Sequence, residues 1–165
     1  MNIFVTGAPG CGKSTLIQQL IGQIDRRSIA GIVTPETREN GQRQGFKMVD
    51  LATGEEAVLA SVDITPADIG KYGVNLEGIK HIVDIFLPSA EQADIIFLDE
   101  IGPMELRSPR FQQAVQQVLA MEQPVVATLH RRLVDRYAKH GEVIRLTRDT
   151  FNEVKQDILD KLTAG

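Results

Sequence analysis

The sequence predicts an α/β fold: a mostly parallel central sheet flanked by helices, with an antiparallel edge added to it. Three observations carry that reading. An apolar, β-branched run at residues 3–6 feeds a glycine-rich turn, and a helical pattern starts at once behind it. Strand-like and helix-like stretches then alternate along most of the chain, as they do in sheets built from crossover units. Residues 35–61 alone break the alternation, with strand patterns separated by turns instead of helices.

The bulk properties suit a globular chain of this class. The chain has 165 residues, within the usual range of one domain. Hydrophobic residues make up 42% and charged residues 24%, both ordinary for a soluble protein. A net charge of −4 leaves no basic footprint for nucleic acid. One cysteine makes no intrachain disulfide and fits a reducing compartment, so the expected location is cytoplasmic. No apolar stretch is long enough for a membrane span, and the first apolar run reads as a strand instead of a leader. No membrane or nucleic-acid partner is expected, and the chain is taken as a monomer or an oligomer of open order.

Taken in order, residues 3–6 are a short buried strand. Residues 13–23 form the first helix, with Leu16, Ile17, Leu20, Ile21 and Ile24 at helical spacing. Residues 29–34 are a second strand, starting after the polar Asp25-Arg26-Arg27 and stopped by Pro35. Turn signals at Glu39-Asn40-Gly41-Gln42 and Thr53-Gly54 bracket strands at 46–51 and 57–61, read as the antiparallel edge. Arg38 and Arg43 near the first turn are either solvated charges or reach a bound phosphate.

Residues 62–74 read as loop. Asn75 is an N-cap for a helix over 76–87, whose Ile79, Ile82, Val83 and Phe86 form an apolar face and which Pro88 ends or kinks. His81 on this helix reads as a surface histidine. Residues 95–100 are a strand covered on both faces. Ser108-Pro109 starts a helix to about residue 121, followed by a strand at 125–129, a short helix at 133–139 and a strand at 143–146. Thr147 is read as the N-cap of a last helix over 148–162.

Two stretches carry chemistry. Gly7-Ala8-Pro9-Gly10-Cys11-Gly12-Lys13-Ser14 fits the G-x-x-x-x-G-K-[ST] spacing of a phosphate-binding loop, with Thr15 behind it. Glycines let the backbone fold into a concave turn and approach a phosphate closely. Successive N–H groups and the free helix N-terminus then make an anion nest. Lys13 would reach the β- and γ-phosphates, and the Ser14 hydroxyl would bind Mg²⁺. Cys11 reads as a small filler. The second stretch ends the strand at 95–100 with Asp99-Glu100, on the side of the sheet where ligands bind. Asp99 would hold Mg²⁺ through water, and Glu100 would orient an attacking water and accept its proton. Thr128 and His130 end a neighbouring strand on the same side and either sense the γ-phosphate or simply pack and cap. Arg131 and Arg132 follow as solvated charges or as catalytic arginines.

Gly7-Ala8-Pro9-Gly10-Cys11-Gly12-Lys13-Ser14, Gly31-Ile32-Val33-Thr34-Pro35-Glu36-Thr37-Arg38, Tyr72-Gly73-Val74-Asn75 and Asp99-Glu100-Ile101-Gly102-Pro103-Met104-Glu105-Leu106 together resemble the thermophile-type (THEP-type) nucleoside-triphosphatase family. The resemblance covers nearly the whole chain, although the tail after His130 reads as shorter than the family's. It implies a Rossmann-like P-loop sheet with an antiparallel edge. It also implies slow Mg²⁺-dependent hydrolysis of several nucleoside triphosphates to diphosphate and phosphate. Residues 7–14 and 95–102, including Gly102, match the family's two nucleotide-binding segments.

The expected function is therefore hydrolysis of ATP, GTP, CTP and UTP. Selectivity for the base is expected to be broad, since the guanine-reading Asn-Lys-x-Asp stretch is absent. Two alternatives stay open: a nucleotide or small-molecule kinase, which would need an acceptor, and a non-catalytic nucleotide switch, which would need a partner.

Overall fold

A computed structural model describes residues 1–24 and 28–164; the stretch Asp25-Arg26-Arg27 lies outside them. The chain runs β1 (Asn2–Thr6), α1 (Lys13–Gln23), β2 (Ile29–Val33), β3 (Glu36–Glu39), β4 (Gln42–Asp50), β5 (Glu56–Ser61), β6 (Gly73–Val74) and α2 (Leu76–Gln92). It continues through β7 (Ile95–Ile101), α3 (Pro109–Leu119), β8 (Val125–Leu129), α4 (Val134–Tyr137), β9 (Glu142–Arg145) and α5 (Phe151–Thr163).

These strands form one sheet in the order β6-β5-β4-β2-β7-β8-β1-β9, with β3 paired on β4. The pairs from β2 through β7, β8 and β1 to β9 are parallel. Those joining β2 to β4, and β4 to β3 and β5, are antiparallel, as is β5 with β6.

Both faces of the parallel half are covered, as the apolar run of β7 requires. Side chains alternate between two cores, the period-2 signature of a strand. Ile95 and Phe97 point to the core shared with Leu16, Ile17 and Leu20 of α1 and Val154, Ile158 and Leu162 of α5. Ile96 and Leu98 point to the core shared with Ile79, Val83 and Phe86 of α2 and Phe111, Val115 and Val118 of α3. Phe4 of β1 joins the α2–α3 side, and Ile3 and Val5 join the α1–α5 side.

Helix starts follow their caps. The Asn75 side chain accepts the Gly78 N–H at 3.2 Å, and Ser108 Oγ accepts the Phe111 N–H at 3.1 Å with Pro109 in the first turn.

The structure differs from the sequence expectations in four places. The antiparallel extension has four strands instead of two, because β3 forms before the 39–42 turn and β6 closes the far edge. Helix α2 does not stop near Pro88 but runs to Gln92. Leu87 and Ala90 are buried on either side of the proline, and this packing outweighs the one lost backbone bond. Helix α5 begins at Phe151, not at 148. The Thr147 and Thr150 hydroxyls each accept the other's backbone N–H, at 3.3 and 3.1 Å, and this reciprocal turn holds 147–150 out of the helix. Residues 133–139 form only one α-turn, α4, flanked by 3₁₀ turns.

Among the described residues, no helix is long and apolar enough to cross a membrane.

Candidate active site

Strand direction decides what meets at the site. β1, β7 and β8 are parallel neighbours, so their carboxyl ends rise on one side of the sheet. The loop after β1 ends in Lys13 and Ser14, β7 ends near Asp99 and Glu100, and β8 is followed by His130. All five side chains line one cavity of about 640 Å³.

The glycine-rich loop is held by close contact. A Cβ on Gly7 would stand 2.6 Å from the Leu146 carbonyl oxygen and 2.7 Å from Cys11 Sγ, so only glycine fits. Cys11 is half-buried against the α1–α5 core, which agrees with a filler role. Gly12 is the N-cap of α1 with φ 104°, and no side chain caps the N–H groups that follow. Those groups are available to an anion. Lys13 Nζ donates to the Gly7 carbonyl at 3.0 Å, folding back over the loop it belongs to.

On its other side, Ala8, Pro9, Gly10 and Cys11 line a second cavity of about 290 Å³ with Arg145, Leu146, Thr147 and Arg148. Residues 8–11 thus line one cavity, and Lys13 and Ser14, directly behind them, line the other. Thr15 and Gly102 line neither. Thr15 is exposed on α1; Gly102 is buried beside the carboxylates, where a Cβ would stand 3.0 Å from Glu100 Oε1 and 3.1 Å from Glu105 Oε1.

Asp99 is fixed from two sides. The buried Thr128 hydroxyl donates to Asp99 Oδ1 at 2.7 Å. The Thr34 N–H and hydroxyl reach the Asp99 carbonyl oxygen at 2.8 and 2.9 Å. Oδ2 remains for a cation or its water. Among the described residues, no cluster of three or more His, Cys, Asp or Glu side chains has the arrangement to hold a metal alone. The hydroxyl of Ser14 and the one carboxylate of Asp99 are instead the sparse oxygen set that suits Mg²⁺, which draws its other ligands from water and phosphate.

The electrostatics separate the acidic groups. Burial pushes the Glu100 carboxyl above its ordinary value; the Lys13 ammonium pulls it back, and the Asp99 carboxylate adds to the rise. Glu105 is pushed up to about 8, first by burial and then by the Glu100 carboxylate. It is therefore mostly neutral at pH 7. Thr34 Oγ1 lies 2.9 Å from the Asp99 carbonyl oxygen and 3.4 Å from Glu105 Oε2. One hydroxyl carries one proton, so with that proton on the carbonyl the second contact uses the proton of Glu105.

His130 is lowered by burial and by the charges of Lys13, Arg132 and Arg131, and so is neutral near pH 7. Its Nδ1 accepts the Arg132 N–H at 3.1 Å, which leaves the proton on Nε2.

The alternatives left open by the sequence divide cleanly. Thr128 packs and holds Asp99, whereas His130 faces the cavity. Arg131 and Arg132 are exposed and line neither cavity. Arg38 pairs with Glu36 at 2.7 Å and donates to the Gly41 carbonyl, as a turn charge does. Arg43 also pairs with Glu36, at 3.1 Å, yet lines the large cavity. His81 is exposed, 3.4 Å from Glu55.

Sequence reasoning gave no role to Thr34 or to Glu105. No local pattern marks a glutamate in this loop as buried; the turn of 105–107 against Gly102 and Thr34 buries it.

Comparison with known proteins agrees with this architecture. The nucleoside-triphosphatase THEP1 of Methanocaldococcus jannaschii is 37% identical over all of this chain and 99% of its own length. That of Pyrococcus abyssi is 41% identical over 96% of this chain and 90% of its own. Among solved structures, the THEP1 crystal structure from the hyperthermophile Aquifex aeolicus superposes with a TM-score of 0.84 at 30% identity, covering 99% of both chains. The solution structure of a human cancer-related nucleoside triphosphatase gives 0.80 at 30% identity, covering 99% of this chain and 98% of that one. The family model described as NTPase matches residues 2–159. The chain belongs to this nucleoside-triphosphatase family, as the four stretches that resemble it implied.

Proposed function

We propose that this chain is a Mg²⁺-dependent nucleoside-triphosphatase that cleaves the β–γ phosphoanhydride with little selectivity for the base. The observation that carries the reading is that Lys13, Ser14, Asp99, Glu100 and His130, from three adjacent parallel strands, line one cavity beside the uncapped start of α1.

In this reading the nucleotide runs along the loop, with its nucleoside toward Arg145–Arg148 and its terminal phosphate among these five residues. The loop N–H groups and Lys13 bind the phosphates and meet the charge that grows on them as the bond breaks. Ser14 Oγ and Asp99 would hold Mg²⁺, which when bound neutralises charge on the β- and γ-oxygens. Glu100 takes a proton from the attacking water, and its raised basicity suits that task. The Nε2–H of His130 donates to a γ-oxygen. Thr128 keeps Asp99 in place, while neutral Glu105 and Thr34 brace the turn after it.

All these side chains come from one chain, so the reading needs neither a second copy nor a second domain. The cytoplasm, with its nucleotide pool, is the compartment it assigns.

The test is phosphate release from ATP, GTP, CTP and UTP across a Mg²⁺ titration. Release from all four, with kcat/KM values within about tenfold and none in excess chelator, supports the reading. Release from only one base, or release that ignores Mg²⁺, contradicts it.

A further inference from the structure

The large cavity, of about 640 Å³, does not end at the residues placed around the terminal phosphate. It continues on the far side of Asp99 from the P-loop. Asp99 is on β7, and β4 is two strands further out, beyond β2. At ~4.8 Å per strand, the cavity extends on the order of 10 Å past the metal-binding carboxylate.

Its outer wall is chemically unlike its inner one. Phe46, Leu59, Ile69 and Met104 make it apolar. Phe46 is held edge-on by Tyr72, with ring centroids 5.6 Å apart. The Arg43 guanidinium stands 5.6 Å from the Phe46 centroid and shares the single carboxylate of Glu36 with Arg38. Among the described lining residues, Arg43 is the cation at this end. Nothing in water activation calls for an aromatic floor or a half-neutralised arginine.

We propose that the outer half of the cavity is a phosphoryl-acceptor site for a small planar alcohol bearing one anionic group. The proposal rests on the reading of Lys13, Asp99 and Glu100 given above. The ring lies against Phe46 and Met104, the anionic group meets Arg43, and the hydroxyl is presented toward Glu100, where water otherwise stands. The acceptor oxygen forms a bond to Pγ, the bond from Pγ to the β–γ bridging oxygen breaks, and the nucleoside diphosphate leaves with that electron pair. The hydroxyl proton passes to the Glu100 carboxylate. Hydrolysis is then what the site does when the outer half is empty.

The test uses 4-(hydroxymethyl)benzoate as probe with Mg·ATP, measuring ADP and inorganic phosphate separately and the phosphomonoester by phosphorus NMR. Hydrolysis alone gives phosphate and ADP in equal amounts. The proposal predicts that millimolar probe lowers that ratio below one, with phosphomonoester making up the difference. Arg43→Gln then raises the probe concentration required by about tenfold, as loss of a charge-assisted contact should. Replacing the probe's carboxylate with a carboxamide does the same to the unaltered protein but adds nothing in Arg43→Gln.

Equal phosphate and ADP at every probe concentration overturns the acceptor site and leaves the hydrolase standing. ADP and phosphomonoester in equal amounts, formed only when probe is present and without inorganic phosphate, overturns the hydrolase and upholds the acceptor site. No ADP under either condition overturns both.

Discussion

In the parallel half of the sheet, β1, β7 and β8 deliver a lysine, two carboxylates and a histidine to one spot by ending side by side. In the antiparallel half, β4 and β5 deliver Arg43, Phe46 and Leu59 to the same cavity from the middle of strands or their turns. The first set arrives by chain direction, which every crossover unit repeats. The second arrives by register: Phe46 faces the cavity because it pairs with Glu36 on one side and Ala60 on the other. One half thus brings its polar groups together at strand ends, and the other brings an apolar wall and Arg43 to the same cavity.

Four substitutions separate the two halves of the sheet. The largest effect belongs to the parallel half. Lys13→Ala should lower kcat/KM by about 10²–10³-fold, the scale of losing a preorganised positive group, as read in steady-state phosphate release. A loss below tenfold would mean that the loop backbone binds the phosphates without Lys13.

Thr128→Val keeps the shape of a buried side chain but removes the bond to Asp99 Oδ1. It should cost about 10–100-fold, as loss of support behind a metal-binding group does, and should raise the Mg²⁺ concentration at half-maximal rate. An unchanged Mg²⁺ dependence would take Asp99 out of cation binding.

The third point lies where the two halves touch. Glu105 has a folded pKa near 8 against an ordinary 4.5, so between those values the folded state keeps a proton that the unfolded chain has lost. Its contribution is full below pH 4.5, declines as pH rises and is gone above about pH 8. The slope is at most ~1.4 kcal/mol per pH unit. The charged groups facing it are Glu100 and Asp99. Glu105→Gln should flatten the fall of Tm between pH 5 and 8 relative to the unaltered protein. An equally steep fall in both would show that Glu105 is ionised when folded.

The smallest effect belongs to the antiparallel half. Asn75 caps α2 and also donates to the Val58 carbonyl of β5 at 2.9 Å. Asn75→Ala should cost about 1 kcal/mol by denaturant unfolding, with phosphate release unchanged. A loss of activity would mean that the extension is coupled to the catalytic end.

What the sequence disclosed follows the same division. The loop after β1 and the strand ending in Asp99 were legible as a strand-turn-helix and a doubly covered strand because their patterns lie in consecutive residues whose spacing is fixed by backbone geometry. Both caps, Asn75 and Ser108, were legible because a cap acts within one turn. The wall built by Phe46 and Leu59 was not, since no local pattern says which strand neighbours which. Strand β3 was missed for a related reason. Its Glu-Thr-Arg-Glu has no apolar alternation and is held by pairing with β4 and by the ion pairs of Glu36. Glu105 was illegible because its burial is tertiary. Pro88 misled because a local rule lost to the packing around Leu87 and Ala90.

In the proposed reaction Glu100 activates the attacking water while Lys13, Ser14 and Asp99 hold the nucleotide. Phosphate release and nucleotide affinity, measured side by side for the unaltered protein and Glu100→Gln, test it directly. The account predicts a loss of about 10²-fold or more in release, with nucleotide affinity retained. Release within a few fold of the unaltered protein, or loss of binding together with activity, would contradict it.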